Sequence, residues 1–276
     1  MYDPSVHRQY LHVDSRTIAY FDSAPRNDSA KVIVLVHGFP LAASMWEAQF
    51  KALPEGWRLI APDLRGFGGS TLDTLSESPS IDDYATDVVD VLKELGISKA
   101  VIGGCAMGGY VTFAVVRQAP AAVRALILAG TRAGADSLET RANRRSMLAV
   151  LDREGSSGVA REIMPKLLGK TTCQERPEVE SSVRRLIKQQ TAVGIRGAVV
   201  RMMARPDCFE MLTSIELPSL IIVGDEDTLT PVVESRRMAD AVKTAELVIV
   251  PRAGHLANLE QPAAFNAAVG NFLSRL

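Results

Sequence analysis

Six short apolar runs alternate with amphipathic segments along this chain, and no other feature limits its possible folds as much. The runs span residues 31–37, 58–62, 100–104, 125–130, 219–224 and 245–251. Each is rich in Val, Ile or Leu, with no polar residue on alternate positions, and most end at Gly or Pro. Runs of this length and pattern suit strands of a parallel sheet covered on both faces. Between them, residues 81–95 read as a helix that starts behind the N-cap candidate Ser80 and stops at Gly96. Residues 231–242 and 261–276 carry similar helical patterns, and residues 10–13 and 17–21 predict an antiparallel hairpin at the sheet edge. With 276 residues, 47% of them apolar, the chain can bury a sizeable core. The expected architecture is α/β, a mostly parallel central sheet flanked by helices.

One region breaks the alternation. From residue 131 to 213 no strand pattern appears, and charged helical stretches cover 139–153, 159–168 and 179–190. Five of the nine Met lie there: Met147, Met164, Met202, Met203 and Met211. Methionine fills irregular gaps in a core, and it also lines pockets that accept varied apolar groups. The position between two strands of the sheet favours a helical cap at 131–213 over a core formed by 1–130 and 214–276. Met147, Met164 and Met202 are the candidate substrate contacts.

Four segments carry the chemistry. The first is VIGGCAMGGY at 101–110, a strand running into a Gly-flanked turn and then a helix at 110–117. A nucleophile elbow needs this layout, because a sharp, strained turn must lift one side chain above the sheet while the backbone passes close on both sides. Gly104 and Gly108 bracket position 106, where the residue is alanine. Reading Cys105 as the nucleophile would put Met107 where a small residue is needed. A phosphate loop lacks its lysine here, and the dinucleotide glycine spacing is absent. The second is VHGFP at 36–40, where the Phe39 N–H, together with that of Met107, could hold a developing oxyanion, with His37 read as stabilising the turn. The third is GDEDTLTP at 224–231, just past a strand, where open α/β sheets place their sites. Asp227 is the preferred acid and Asp225 the second choice. The fourth is PRAGHL at 251–256, whose His255 follows the last strand in a Gly-hinged loop, suited to a general base. The order of nucleophile position, acid and histidine is the order this kind of elbow requires.

The remaining composition excludes other functions. A formal net charge of −1 without long basic runs argues against nucleic acid or an anionic membrane as partner. Three irregularly spaced Cys offer neither a disulfide framework nor a zinc site, so no metal and no cofactor are expected, and a reducing cytoplasm fits. MYDPSVHRQY at the start has no apolar core of a leader, and no run is long enough to span a bilayer.

On the segments HGFP, APDLRGFGGS, GCAMGG, GDEDTLTP and AGHLANLEQP, the chain resembles the α/β hydrolases across nearly its whole length. It is most similar to small bacterial carboxylesterases and 3-oxoadipate enol-lactonases, including the RPD at 205–207. The resemblance implies an α/β-hydrolase fold with an inserted helical lid and a triad at positions 106, 227 and 255, acting on a small-molecule ester or lactone. Ala106 departs from that pattern. Without a hydroxyl, no acyl-enzyme can form through it. Either a parent serine was replaced, which would trap a ligand, or the chain is a natural non-catalytic homologue; the intact acid, base and oxyanion loop favour the first. Family epoxide hydrolases use lid tyrosines, and the five Tyr here lie outside 131–213. Family dehalogenases carry Trp after the nucleophile, where this chain has Met107. Ester or lactone hydrolysis is therefore the expected chemistry of a parent enzyme, with Arg132, Arg144 or Arg201 as candidates for a substrate carboxylate.

Overall fold

The computed structural model describes residues 8–25, 27, 29–71 and 78–276. His7 and most of the N-terminal stretch on which the absence of a leader was read lie outside them. Eight strands form one sheet: β1 (Arg8–Val13), β2 (Arg16–Asp22), β3 (Lys31–Val36), β4 (Trp57–Pro62), β5 (Ala100–Cys105), β6 (Val123–Ala129), β7 (Ser219–Gly224) and β8 (Ala245–Val250). Their spatial order is β1-β2-β4-β3-β5-β6-β7-β8. The β1–β2 and β2–β4 pairs are antiparallel, and every other pair is parallel. All six apolar runs are strands, and β4, β5 and β7 are buried at every position, as strands covered on both faces must be.

The helices are α1 (Glu47–Phe50), α2 (Ile81–Glu94), α3 (Met107–Gln118), α4 (Leu138–Leu167), α5 (Lys170–Glu175), α6 (Pro177–Lys188), α7 (Ala192–Ala204), α8 (Phe209–Leu212), α9 (Val232–Ala241), α10 (Ala257–Glu260) and α11 (Pro262–Leu273). α2 starts where Ser80 and Asp83 cap each other's backbone amides. It ends in a Schellman turn, with Gly96 N–H on the Lys93 carbonyl and Ile97 N–H on that of Leu92. Between β6 and β7 the chain forms α4 to α8 and no strand, and α4 is broken at Gly155. The sequence pattern missed α7. Its two glycines and its valines give weak intrinsic propensity, and the helix holds through packing. A side chain at Gly194 would lie 2.0 Å from the Gly66 carbonyl oxygen, so its backbone rests directly on the core.

The strand order locates the site. From β3 the chain crosses to β4 on one side, while from β5 it continues to β6 on the other. The crevice at the carboxyl ends of β3 and β5 is therefore the switch point where open α/β sheets bind ligands. The loop after β3 carries Gly38 and Phe39, and the turn after β5 carries Ala106.

His37 anchors that first loop from beneath. Leu64 N–H donates to its Nε2 at 3.1 Å, so Nδ1 bears the proton and donates to the Gly38 carbonyl at 3.0 Å. The ring is fully buried, and burial pushes its pKa below the ordinary 6.5, against a weaker upward pull from the Gly38 bond and Asp63. Protonation would set an N–H against the Leu64 N–H. Above pH 6.5 the imidazole is neutral in both folded and unfolded chains, so its contribution is fully present. As pH falls below 6.5 the unfolded chain gains a proton that the folded one refuses, and stability drops by up to about 1.4 kcal/mol per pH unit. Urea midpoints should fall between about pH 7.5 and pH 5.5, and a His37→Asn variant should lose less over that interval. Equal losses would refute this account.

Candidate active site

Ala106 sits at the bend between β5 and α3 with φ 52° and ψ −108°, a left-handed conformation that costs a non-glycine residue about 1–3 kcal/mol. Three bonds hold it there: its N–H donates to the Ala129 carbonyl at 2.9 Å, and its own carbonyl accepts from Thr131 Oγ1 at 2.8 Å and from Gly109 N–H at 3.0 Å. The flanking glycines admit no substitute. A Cβ at Gly104 would lie 2.3 Å from the Gly108 carbonyl carbon, and one at Gly108 would lie 2.2 Å from the Val36 oxygen in β3. Both obstacles are backbone, so Gly108→Ala should cost about 3–5 kcal/mol. Calorimetry should show a Tm fall on the order of 10 °C. A shift within about 2 °C would contradict the close approach.

Cys105, one residue earlier, faces away from the cavity described below. It is buried, its Sγ lies 3.9 Å from the His255 carbonyl oxygen, and burial, with Asp227 and Glu260 nearby, pushes its thiol pKa well up. It is no nucleophile in this state. Cys105, Cys173 and Cys208 are all unbridged.

The acid and the base meet across the loops after β7 and β8. His255 Nδ1 donates to Asp227 Oδ2 at 2.9 Å. A carboxylate can only accept, so Nδ1 carries a proton, and in the neutral ring this tautomer leaves the lone pair on Nε2. Asp227 also accepts from Thr230 Oγ1 on Oδ2 at 2.6 Å, and from Leu229 N–H and Thr230 N–H on Oδ1 at 2.8 and 2.9 Å. Burial alone would raise its pKa. The His255 ring and these hydrogen bonds outweigh burial and hold the carboxyl below its ordinary 3.8, so Asp227 is ionised at neutral pH. Asp225 is exposed and makes only a 3.4 Å contact to Ala253 N–H, so the second candidate acid has no line to His255.

Ala106 and His255 line one cavity of about 340 Å³ together with Phe39, Met107, Tyr110 and Thr230. Met107 is the first residue of α3, and its N–H has no acceptor within the helix. A Cβ placed on Gly38 would lie 3.7 Å from Ala106 Cβ, which brings the β3 loop alongside the bend. The arrangement brings an imidazole, the loop after β3 at Phe39 and the start of α3 at Met107 to the same space.

Helices α4 and α7 close the cavity. Met147 and Met202 contribute to its wall, as the sequence pattern suggested. Met164 does not. On the second half of α4, Ile163, Lys166 and Leu167 face the cavity, and Met164, about 100° around the helix from Ile163, turns into the core at 3% exposure. The wall is also less apolar than expected. Arg132 and Arg144 stand in it, and both bond the buried Asp136, which Arg205 pairs with as well. Burial raises the Asp136 pKa, but the arginines outweigh it and hold the carboxyl down. Arg201 is spent elsewhere: buried, it pairs with Asp83 at 2.8 Å and stacks on Tyr84. Tyr110 reaches the cavity from α3 with the Arg205 guanidinium 4.0 Å above its ring. Asp136 was not singled out in the sequence, because an isolated Asp beside a charged helical stretch reads as solvated surface, and Arg205 entered only as part of the RPD that carries the family resemblance. A larger groove of about 970 Å³ lies between α6 and the segment around Ser44 and Lys51, and its lining contains neither Ala106 nor His255. Among the described residues, no cluster of His, Cys, Asp and Glu could hold a metal, and no helix is long and apolar enough to cross a membrane.

Residues 31–262 match the profile of the alpha/beta hydrolase fold family. The chain belongs to that family. Among solved structures, an esterase from Thermogutta terrifontis with malate bound is 34% identical to this α/β hydrolase, with a TM-score of 0.90 and 98% of each chain covered. A putative carbamate hydrolase, RutD, from Variovorax paradoxus is 28% identical over 89% of this chain and 92% of its own. 3-Oxoadipate enol-lactonase 2 from Acinetobacter baylyi is 26% identical, with 84% of each chain covered.

Proposed function

We propose that this chain is a serine-type carboxylic ester hydrolase in a form whose nucleophile position carries alanine. One observation carries the reading: Ala106 holds a strained left-handed bend on the wall it shares with His255, whose Nε2 is left free by the bond to Asp227. Backbone strain of this kind clusters at active sites, and a serine there would present a hydroxyl to the imidazole. In the parent form, His255 takes the hydroxyl proton and Asp227 stabilises the imidazolium. The amides of Met107 and Phe39 receive the oxyanion, and His255 returns the proton to the leaving alcohol. With alanine, the cavity binds an ester and cannot form the acyl-enzyme. The test is hydrolysis of short and medium acyl esters after Ala106→Ser. A non-catalytic ligand-binding role is the outcome if no hydrolysis appears.

A lactone or ester bearing a free carboxylate is the second reading, favoured by the cavity wall. Arg132, Arg144 and Lys166 stand in the wall against one carboxylate, Glu162, and the two arginines share the buried Asp136 with Arg205. Arg132 is the most loosely held, at 3.4 Å, and its Nε is buried without a hydrogen-bond partner. An anionic acyl group would complete it. Neutral and carboxylated substrates assayed side by side in the Ala106→Ser variant separate the two readings.

A further inference from the structure

Two glutamates outside the proposed triad, Glu226 and Glu260, sit beside it in the chain and reach the same short stretch of the helical insert. Glu226 precedes Asp227 and accepts from Thr171 N–H at 2.8 Å and from Thr171 Oγ1 at 2.6 Å. Glu260, the last residue of α10, is fully buried. Its Oε1 accepts from Leu256 N–H, the residue after His255, at 3.1 Å, and its Oε2 accepts from Gly169 N–H, between α4 and α5, at 2.8 Å. Among the described residues no Lys or Arg pairs with Glu260, so main-chain amides supply its hydrogen bonds. The backbones touch as well. A Cβ at Gly254 would lie 2.2 Å from Gly169 N, and one at Gly169 would lie 2.8 Å from Gly254 N.

We propose that Glu260 is a positioning residue that fixes the His255 loop and the α4–α5 turn of the insert in one register, so that seating the insert and aiming the imidazole are a single event. The proposal rests on the hydrolase reading for its catalytic consequence, and not for its structural content. A buried carboxylate without a cation is tolerable only while both oxygens are hydrogen-bonded. Lifting the insert removes the Gly169 N–H and leaves one oxygen dry. The cost falls on the carboxylate that also holds Leu256, directly after His255. The turn at Gly169 also directly follows the last turn of α4, whose Lys166 and Leu167 line the cavity. One bond therefore sets both the cavity wall and the base. Because Gly254 and Gly169 are in backbone contact, neither loop can move toward the other by the width of a methyl group.

Glu260→Gln is nearly isosteric, yet its NH2 must face one of the two N–H donors, so one of the links breaks. In the Ala106→Ser background, kcat is expected to fall about 10- to 100-fold with KM changed less than about threefold, the pattern of a misplaced base in an intact pocket. The low-field NMR signal of the His255 Nδ1 proton should broaden in the Glu260→Gln chain. Should this variant fail to fold, the unsubstituted chain gives its own measurement, and that measurement needs no activity. Native-state hydrogen exchange of the Gly169 and Leu256 amides should proceed through a common opening, with protection factors within about threefold of each other. Protection of Leu256 far above that of Gly169, or an unchanged kcat and Nδ1 signal in Glu260→Gln, would overturn the proposal. Absence of hydrolysis in Ala106→Ser alone would count against the functional reading, while the exchange result still decides the coupling.

Discussion

Ala106→Ser is expected to raise ester hydrolysis by about 10⁴- to 10⁶-fold over the chain as it stands, the range spanned when a serine nucleophile is removed from an otherwise intact triad. The gain is this large because nothing else needs to be built. The bend already holds φ 52° with its carbonyl on Thr131, so the new Oγ inherits a position that the backbone enforces. His255 already has its proton on Nδ1 and its lone pair on Nε2. Adding one oxygen to a side chain that is 9% exposed displaces at most a water from the cavity, so the fold should not object. Steady-state kinetics on a series of acyl chain lengths checks the gain, and His255→Ala in the same background should abolish it. Burst kinetics with a chromogenic ester should show acyl-enzyme accumulation. Hydrolysis that survives His255→Ala would mean the reaction occurs elsewhere.

In that background, Asp227→Asn is expected to lower kcat about 10⁴-fold with KM nearly unchanged. The surroundings dictate which way the new amide turns. Leu229 N–H and Thr230 N–H both aim at the Oδ1 site, so the amide oxygen must take it. Its NH2 then occupies the Oδ2 site, 2.9 Å from His255 Nδ1, where only an acceptor is useful to it. The imidazole proton moves to Nε2, and the base can no longer accept from the nucleophile. Asp225→Asn, by contrast, should change kcat by less than about threefold, since Asp225 is solvated. A large effect at Asp225 with none at Asp227 would reverse the assignment of the acid. His255 and the hydrogen bonds from Thr230 hold the Asp227 carboxyl below its ordinary 3.8, so it stays ionised at neutral pH and is protonated only below that value.

Local chemistry made much of this legible in advance. The glycines at 104 and 108 are demanded by backbone contacts that any sharp strand-to-helix turn of this kind creates, so their spacing is visible without coordinates. The same holds for the Ser80 cap and the Gly96 stop of α2. Other positions depend on which face a helix presents after it docks. Met164 and Ile163 are neighbours of similar apolarity, and only the docking angle of α4 sends one to the cavity and the other to the core. Arg132, Arg144 and Arg201 were equivalent as candidates for a substrate carboxylate. Tertiary pairing removed Arg201 to Asp83 and left the other two at the wall.

The sequence by itself determined the six apolar strands, the Gly-flanked bend at Ala106 and the cap and stop of α2, because each follows from residues close together in the chain. Tertiary structure alone decided which acid bonds the imidazole, which side chains line the cavity, and that Glu226 and Glu260 tie the insert to the loops of Asp227 and His255. Those partners lie 28, 55 and 91 positions apart. A hydrogen bond across such separations depends on where the sheet and the helices bring the backbone, and composition and periodicity do not encode that distance.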